Sequence, residues 1–395
     1  MISCGIVAEY NPFHNGHKYQ IDNVRRELKP DVVIAVMSGN FLQRGEPALL
    51  DKWTRTKMAL AGGVDLVVEL PAVFAVQPAD YFAKGAIQIM KQLDVDYMSY
   101  GVEKGSAADY LKGAKWMTAH EKKIGAHLRK HAAADVPYAK QIEDMIKQMA
   151  PDFPLHLNAP NNQLGFAYAK EIVRNGWEEN IQLLPLERKA VHYNDERLPK
   201  KGDIASATAI RTALQEGQSV RSYIPECSYI HLEKNREQMV NWSHYYSFLA
   251  YQLLASSKDD LRKIYQMTEG LENRLKDAIV DRRDFTDFLK AIKTKRYTQT
   301  RLQRLLTYVL LQWKSETVMA ALAAEPSIRI LGFTQAGQAY LSKVKHSLKA
   351  PLIANVNQTT KKKLAFDIGA GQIYRLGKPE SISEQDFKQK PIKFD

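Results

Sequence analysis

Two histidines three residues apart, His14 and His17, lie in the segment Asn11-Pro12-Phe13-His14-Asn15-Gly16-His17, just after the apolar run Ile2–Ala8. That run is short and β-branched enough to form a buried strand; the proline marks a loop, and helical periodicity resumes beyond Gly16. A helix opening at a strand end presents unpaired backbone N–H groups and the positive end of its dipole, a combination that binds phosphate. Gly16, without a Cβ, would let the backbone approach such a ligand closely. Residues three apart in a first turn share a face, so both imidazoles could donate to phosphate oxygens whose charge grows as pyrophosphate departs. Two surface histidines in a loop are the duller alternative, but HxGH spacing directly after a strand favours the chemistry.

A second segment could serve the same reaction. Asp203-Ile204-Ala205-Ser206-Ala207-Thr208-Ala209-Ile210-Arg211 places two hydroxyls and a guanidinium at the start of a predicted helix. Ser206 or Thr208 could do no more than cap it. The same hydroxyls could also hold β- and γ-phosphates while Arg211 neutralises the departing pyrophosphate. His14, His17 and Arg211 are therefore the catalytic candidates. Neither a cysteine nor an elbow serine adjoins the motif, so no covalent enzyme intermediate is expected; positioning and charge stabilisation can carry an in-line displacement.

The elements that must position these residues follow from periodicity. Ile2–Ala8, Asp31–Met37, Val64–Leu70 and Val95–Val102 read as buried strands, with helical patterns at Tyr19–Leu28, Lys52–Ala61 and Tyr81–Leu93. Ile181–Leu186 reads as a later strand and Thr208–Gln215 as the start of a closing helix. The alternation predicts an α/β fold, a Rossmann-like parallel sheet with helices on both faces. It forms a catalytic domain over residues 1–216, with 106–150 as a helical insertion or flank. Asn241–Ser256, Asp259–Met267, Leu271–Val280, Phe285–Lys293 and Thr300–Lys314 predict a mainly α-helical domain over 217–325. Strand candidates Ile328–Phe333 and Pro351–Asn355, with a helix at Gln338–Val344, predict a small basic α/β element over 326–395.

Composition narrows the function classes. The 395 residues are 45% hydrophobic and 25% charged, ordinary for a soluble globular chain. Cys4 and Cys227 are the only cysteines, which argues against a disulfide framework or a structural zinc site; Cys4 reads as a small buried hydrophobe. No secretory pattern and no apolar run near the ~20 residues of a membrane span occur, so a cytoplasmic protein is expected. The net charge of +12 is uneven: residues 1–215 hold 27 basic and 25 acidic side chains, residues 216–395 hold 29 and 19.

Within the basic half, Phe288–Arg304 carries Lys290, Lys293, Lys295, Arg296, Arg301 and Arg304 with no acid, beside Tyr297 and Tyr308. Pro326–Phe366 carries Arg329, Lys343, Lys345, Lys349 and Lys361–Lys363, again with no acid. Cations that neutralise phosphates release counterions, and interleaved aromatics can stack unpaired bases. Such runs are often only solvated faces, yet two of them beside a phosphate-binding motif point to RNA, with Lys293, Lys295, Arg296, Arg301 and Arg304 as the contact candidates.

His14–His17 and Ser206–Arg211 resemble the two motifs of the HxGH-type nucleotidyltransferases, relatives of the class I aminoacyl-tRNA synthetases. Longer segments are similar to the bacterial tRNA(Met) cytidine acetate ligases, nearly end to end. They are Ser38–Ala48, Asp51-Lys52, Asp65–Pro71, Tyr100–Glu103, Pro160–Gly165, Leu186-Glu187-Arg188 and Ile330–Phe333. The resemblance implies that ATP activates acetate as acetyl-adenylate, and that the acetyl group passes to the wobble cytidine of elongator methionine tRNA. It further implies an ATP site lined by Val7-Ala8-Glu9-Tyr10-Asn11-Pro12-Phe13-His14-Asn15-Gly16-His17-Lys18-Tyr19-Gln20, with Gly101, Asn162 and Arg188 at other strand ends. From the residues alone, Gly101 could be a turn, Asn162 a helix cap and Arg188 a surface ion pair, while Lys52, Arg55 and Lys57 read as a solvated helix face. Magnesium is expected on the triphosphate, with no dedicated carboxylate cluster to hold it. No protein partner is implied. An adenylyltransferase acting on a small phosphate-bearing acceptor, and a non-catalytic RNA-binding relative, remain as alternatives.

Overall fold

The structure is a computed structural model that describes residues 1–130, 138–157, 159–187, 197–199, 204–268, 270–348, 351–378 and 385–395. Its first part builds strand–helix units: β1 (Ser3–Ala8), α1 (Asn15–Leu28), β2 (Val32–Ser38), α2 (Lys52–Ala61), β3 (Leu66–Leu70), α3 (Ala72–Ala75), α4 (Ala79–Gln92) and β4 (Tyr97–Val102). Helices α5 (Ala107–Lys130), α6 (Tyr138–Met149) and α7 (Pro160–Arg174) precede β5 (Gln182–Glu187) and α8 (Ala207–Gln215). The strands lie in the order β5-β4-β1-β2-β3 and all pair in parallel. β1 to β3 run outward one way while β4 returns to the other side of β1. That reversal creates a crevice at the carboxyl ends of β1 and β4, where open α/β sheets bind ligands.

The strands are apolar throughout because both faces are covered. Along β2, Val32, Ile34 and Val36 join one core and Val33, Ala35 and Met37 the other. The second core takes Cys4 and Ile6 with residues of α1, α2 and α8. Burial pushes the Cys4 thiol up to about 12, as befits an inert apolar side chain.

Helices α9 (Glu226–Lys234), α10 (Tyr246–Ala255), α11 (Lys258–Arg262), α12 (Leu271–Ile279), α13 (Phe285–Ile292), α14 (Gln299–Leu310) and α15 (Ser315–Ala323) form the helical half. Among the described residues its apolar side chains join the core of the sheet: Leu249, Phe288 and Tyr308 belong to the same cluster as Ile34, Leu66, Phe74 and Ile87. Tyr308 also donates its hydroxyl to the Val76 carbonyl at 2.7 Å.

The last segment likewise does not stand apart. β6 (Ile328–Phe333) pairs antiparallel with β3, so it extends the catalytic sheet; α16 (Gln335–Val344), β7 (Leu352–Ile353), α17 (Gln358–Lys363), α18 (Ala365–Leu376), α19 (Gln385–Lys388) and β8 (Ile392–Lys393) follow. Buried ions hold it there. Lys52 Nζ lies 2.7 Å from both Glu69 and Asp386, and Arg329 lies 2.6 Å from Asp386. Burial pushes Asp386 up, but Lys52 and Arg329 hold its carboxyl below the ordinary range. Burial, with the Glu69 charge beside it, pushes Asp367 up to about 7. Lys378 reaches Asp51 at 2.7 Å. Among the described residues, no helix is long and apolar enough to cross a membrane.

Candidate active site

The loop after β1 turns sharply, with Tyr10 at φ 48°, and delivers His14 as the N-cap of α1. His14 Nδ1 accepts the Gly16 N–H at 3.0 Å, and His17 Nδ1 accepts the His14 N–H at 3.2 Å. This is a capping box in which imidazoles replace the usual hydroxyl and carboxylate. A nitrogen that accepts from a backbone N–H carries no proton, so each neutral ring keeps its proton on Nε2. The two rings lie 3.8 Å apart and 31° from parallel. A Cβ on Gly16 would sit 2.8 Å from His14 Cε1. The glycine is thus needed to admit the histidine ring, a closer reason than room for a ligand.

Both histidines face a cavity of about 250 Å³ at the β1/β4 crevice. The N-terminus of α8 forms one end of it, where Ser206 Oγ accepts the Ala209 N–H at 3.0 Å. Arg211 bridges the two motifs: it donates to the Asn11 carbonyl at 2.9 Å, lies 3.4 Å from Thr208 Oγ1 and pairs with Glu46 at 3.3 Å. The two segments, some 190 residues apart in sequence, thus meet on one cavity wall, which Thr208 and Arg211 both line. Glu9 completes a mixed-charge cluster. Burial pushes its carboxyl up, against the Gln43 N–H it accepts at 2.7 Å.

The expected nucleotide-lining residues divide. Val7, Ala8, Glu9, Tyr10, Asn11, His14, Gly16, His17, Tyr19 and Gln20 line the cavity, as do Gly101, Ser206 and Thr208. Pro12, Phe13, Asn15 and Lys18 do not: Phe13 is in the core, Asn15 Nδ2 donates to the Ser222 carbonyl, and Lys18 pairs with Asp22. Asn162 is turned away from the cavity, which its neighbour Asn161 lines instead. The Asn162 Oδ1 accepts from the Glu103 N–H at 3.1 Å and the Tyr110 hydroxyl at 2.9 Å, so this residue braces the β4 end. Arg188 lies outside the described residues.

Sequence reading missed Arg44 and Glu46, which enter the cavity from the loop after β2, and Tyr100 and Tyr168, which wall it on the β4 side. The Arg44-Gly45-Glu46 step was visible in the Ser38–Ala48 segment, but nothing local aims it at the histidines. Arg55 and Lys52, read as a solvated helix face, are fully buried, whereas Lys57 is exposed. Arg55 donates to the carbonyls of Leu50, Glu9, Ser38 and Gly39, tying the ends of β1 and β2 together below the site.

The basic patch also needs correction. Lys293, Lys295 and Arg296 are exposed and Arg301 is half-buried, but Arg304 points inward and donates to the Gln43 carbonyl at 3.3 Å. Neither aromatic can stack a base: Tyr297 is buried, with the Arg301 guanidinium 4.6 Å over its ring, and Tyr308 is in the core. Arg329 is enclosed in the buried ion cluster, while Lys343, Lys345 and Lys361–Lys363 remain exposed; Lys349 lies outside the described residues.

Comparison with known proteins agrees with this geometry. The HIGH Nucleotidyl Transferase family matches residues 1–390. The tRNA(Met) cytidine acetate ligase of Bacillus licheniformis is 39% identical, spanning 100% of this chain and 98% of the relative. That of Leuconostoc mesenteroides is 41% identical, spanning 99% of each. Crystal structures of Thermotoga maritima TmcAL superpose over 100% of both chains, the apo form with TM-score 0.90 at 31% identity and the form bound with alpha-thio ATP with TM-score 0.88 at 30% identity. With the HxGH box, the Ser206–Arg211 helix start and full-length similarity all in agreement, the chain belongs to the tRNA(Met) cytidine acetate ligase family of HIGH nucleotidyl transferases.

Proposed function

We propose that this protein uses ATP to activate acetate and then acetylates the wobble cytidine of elongator methionine tRNA, giving N(4)-acetylcytidine. The observation that carries the reading is the reciprocal His14/His17 cap on the same cavity wall as Arg211. An acetate oxygen attacks the α-phosphorus and the bond to the β-phosphate oxygen breaks. The Nε2–H groups of His14 and His17 donate to oxygens that gain charge as it does so. Pyrophosphate leaves toward the α8 N-terminus, where Ser206, Thr208 and Arg211 receive it. The cytidine N4 amine then attacks the acetyl carbon, AMP departs with the carboxylate oxygen, and the amine loses one proton. Magnesium enters as the counter-ion of the ATP substrate.

The exposed Lys293, Lys295 and Arg296, with the half-buried Arg301, serve as phosphate contacts for the tRNA. The setting is the cytoplasm, where ATP and tRNA are found together. The deciding experiment supplies labelled pyrophosphate with ATP, with or without acetate, and then labelled acetate with methionine tRNA. Acetate-dependent exchange, followed by label on the cytidine, supports the proposal. Exchange that requires a phosphate-bearing acceptor instead would overturn it in favour of an adenylyltransferase.

A further inference from the structure

The loop between β2 and α2 touches both halves of the molecule. It is closed by a bridge between Phe41 and Pro47, and by N–H donations from Leu42 to the Glu46 carbonyl and from Gly45 to the Leu42 carbonyl, both at 2.9 Å. On its inner side, Glu46 pairs with Arg211 and the Gln43 N–H holds Glu9. On its outer side it leans on the helical half. Trp242 Nε1 donates to the Gly45 carbonyl at 3.0 Å, and Arg304 donates to the Gln43 carbonyl at 3.3 Å. Gly45 has φ 73°, and a Cβ there would lie 2.2 Å from the Arg304 backbone nitrogen, so loop and helix α14 meet backbone to backbone.

These contacts are costly to build. Arg304 is buried with its Nε unpartnered among the described residues, a desolvation penalty that surface RNA binding would not require. Trp242 is fixed by a parallel stack on Phe285, with centroids 4.4 Å apart and planes at 4°. We propose that Arg304 and Trp242 are positioning residues of the adenylation centre, holding the 41–47 loop so that Glu46 orients Arg211 toward departing pyrophosphate. The helical half is then part of the nucleotide site as well as a surface for RNA. The inference rests on the functional reading above.

The test is acetate-dependent pyrophosphate–ATP exchange without tRNA, measured on Trp242→Phe, Arg304→Met, Glu46→Gln and the Arg304→Met/Glu46→Gln pair. Each single change should raise the KM for pyrophosphate roughly five- to tenfold, the scale of one misplaced charge-assisted contact, with the acetate KM within about twofold. The pair should be no worse than the worse single variant, since both act on one arrangement. A drop in kcat with the pyrophosphate KM unmoved, or effects that multiply, overturns the proposal. If Arg304→Met does not fold, Trp242→Phe, which keeps an aromatic ring and removes one N–H, decides alone. A wild type without acetate-dependent exchange overturns the functional reading too; a wild type that exchanges, with unmoved variants, overturns only this inference.

Discussion

His14 and His17 cap each other, His17 Nδ1 taking the His14 N–H and His14 Nδ1 taking the Gly16 N–H, so one pair of contacts fixes both tautomers and starts α1. Structure and chemistry can therefore be separated by substitution. His14→Asn keeps a good N-cap and should change stability by less than about 0.5 kcal/mol, whereas His14→Ala should cost about 1 kcal/mol. Both should lower the acetate-dependent exchange rate by about 10²–10³ if Nε2–H stabilises developing charge. Urea unfolding beside exchange kinetics checks this; full activity in His14→Asn would mean the ring acts only as a cap.

The second prediction concerns Arg55, whose guanidinium is fully buried among the carbonyls of Leu50, Glu9, Ser38 and Gly39. Arg55→Met leaves those acceptors without their donor in a dry site. A loss of about 3–5 kcal/mol is expected, read as a lower urea midpoint. Arg55→Lys, with one compact head in place of a planar fork, should recover only part of it. Equal stability of the methionine variant and the wild type would show that water replaces the guanidinium.

Arg55 also shows where the sequence stopped being informative. The HxGH box and the first strands were legible because their signals are local: a β-branched run, a proline loop, two histidines at helical spacing. Lys52 and Arg55 looked solvated because their partners are distant in the chain, Lys52 meeting Glu69 and Asp386. No periodicity reveals such pairings. The antiparallel docking of β6 on β3 escaped for the same reason, since a strand of six residues does not declare its neighbour. Arg44 and Glu46 were in view as residues but not as cavity wall, because the loop that aims them is shaped by Trp242 and Arg304.

The ion cluster that holds the C-terminal segment predicts a pH dependence with a definite sign. Asp367 has its carboxyl pushed up from 3.8 to about 7 by burial and by Glu69, while its Oδ1 accepts the Ala72 N–H at 2.7 Å. Between those values the folded state holds a proton that the unfolded state has released. Its contribution is therefore complete below the unfolded value and is lost as pH rises through about 7. Asp386, held low, acts oppositely, losing its contribution only as pH falls below the ordinary carboxyl range. Asp367→Asn keeps the acceptor for Ala72 without an ionisable proton. The variant should lose the decline in thermal midpoint across the mildly acidic range and match or exceed wild type above neutrality. An unchanged pH profile would assign the decline to other groups.

The last prediction separates outward from inward cations along one stretch of chain. Lys293, Lys295 and Arg296 are exposed, whereas Arg304 is buried against the catalytic loop. If the outward three each neutralise a phosphate, replacing all three by alanine removes about three counterions from the binding equilibrium. The slope of log K against log salt should then become shallower by about 2–3. Arg304→Met should leave that slope unchanged, because a guanidinium that never meets the phosphates releases no ions. Filter binding of methionine tRNA across a salt series distinguishes the two. A slope unchanged in the triple variant would place the RNA on another face, with Lys343, Lys345 and Lys361–Lys363 the next exposed cations to test.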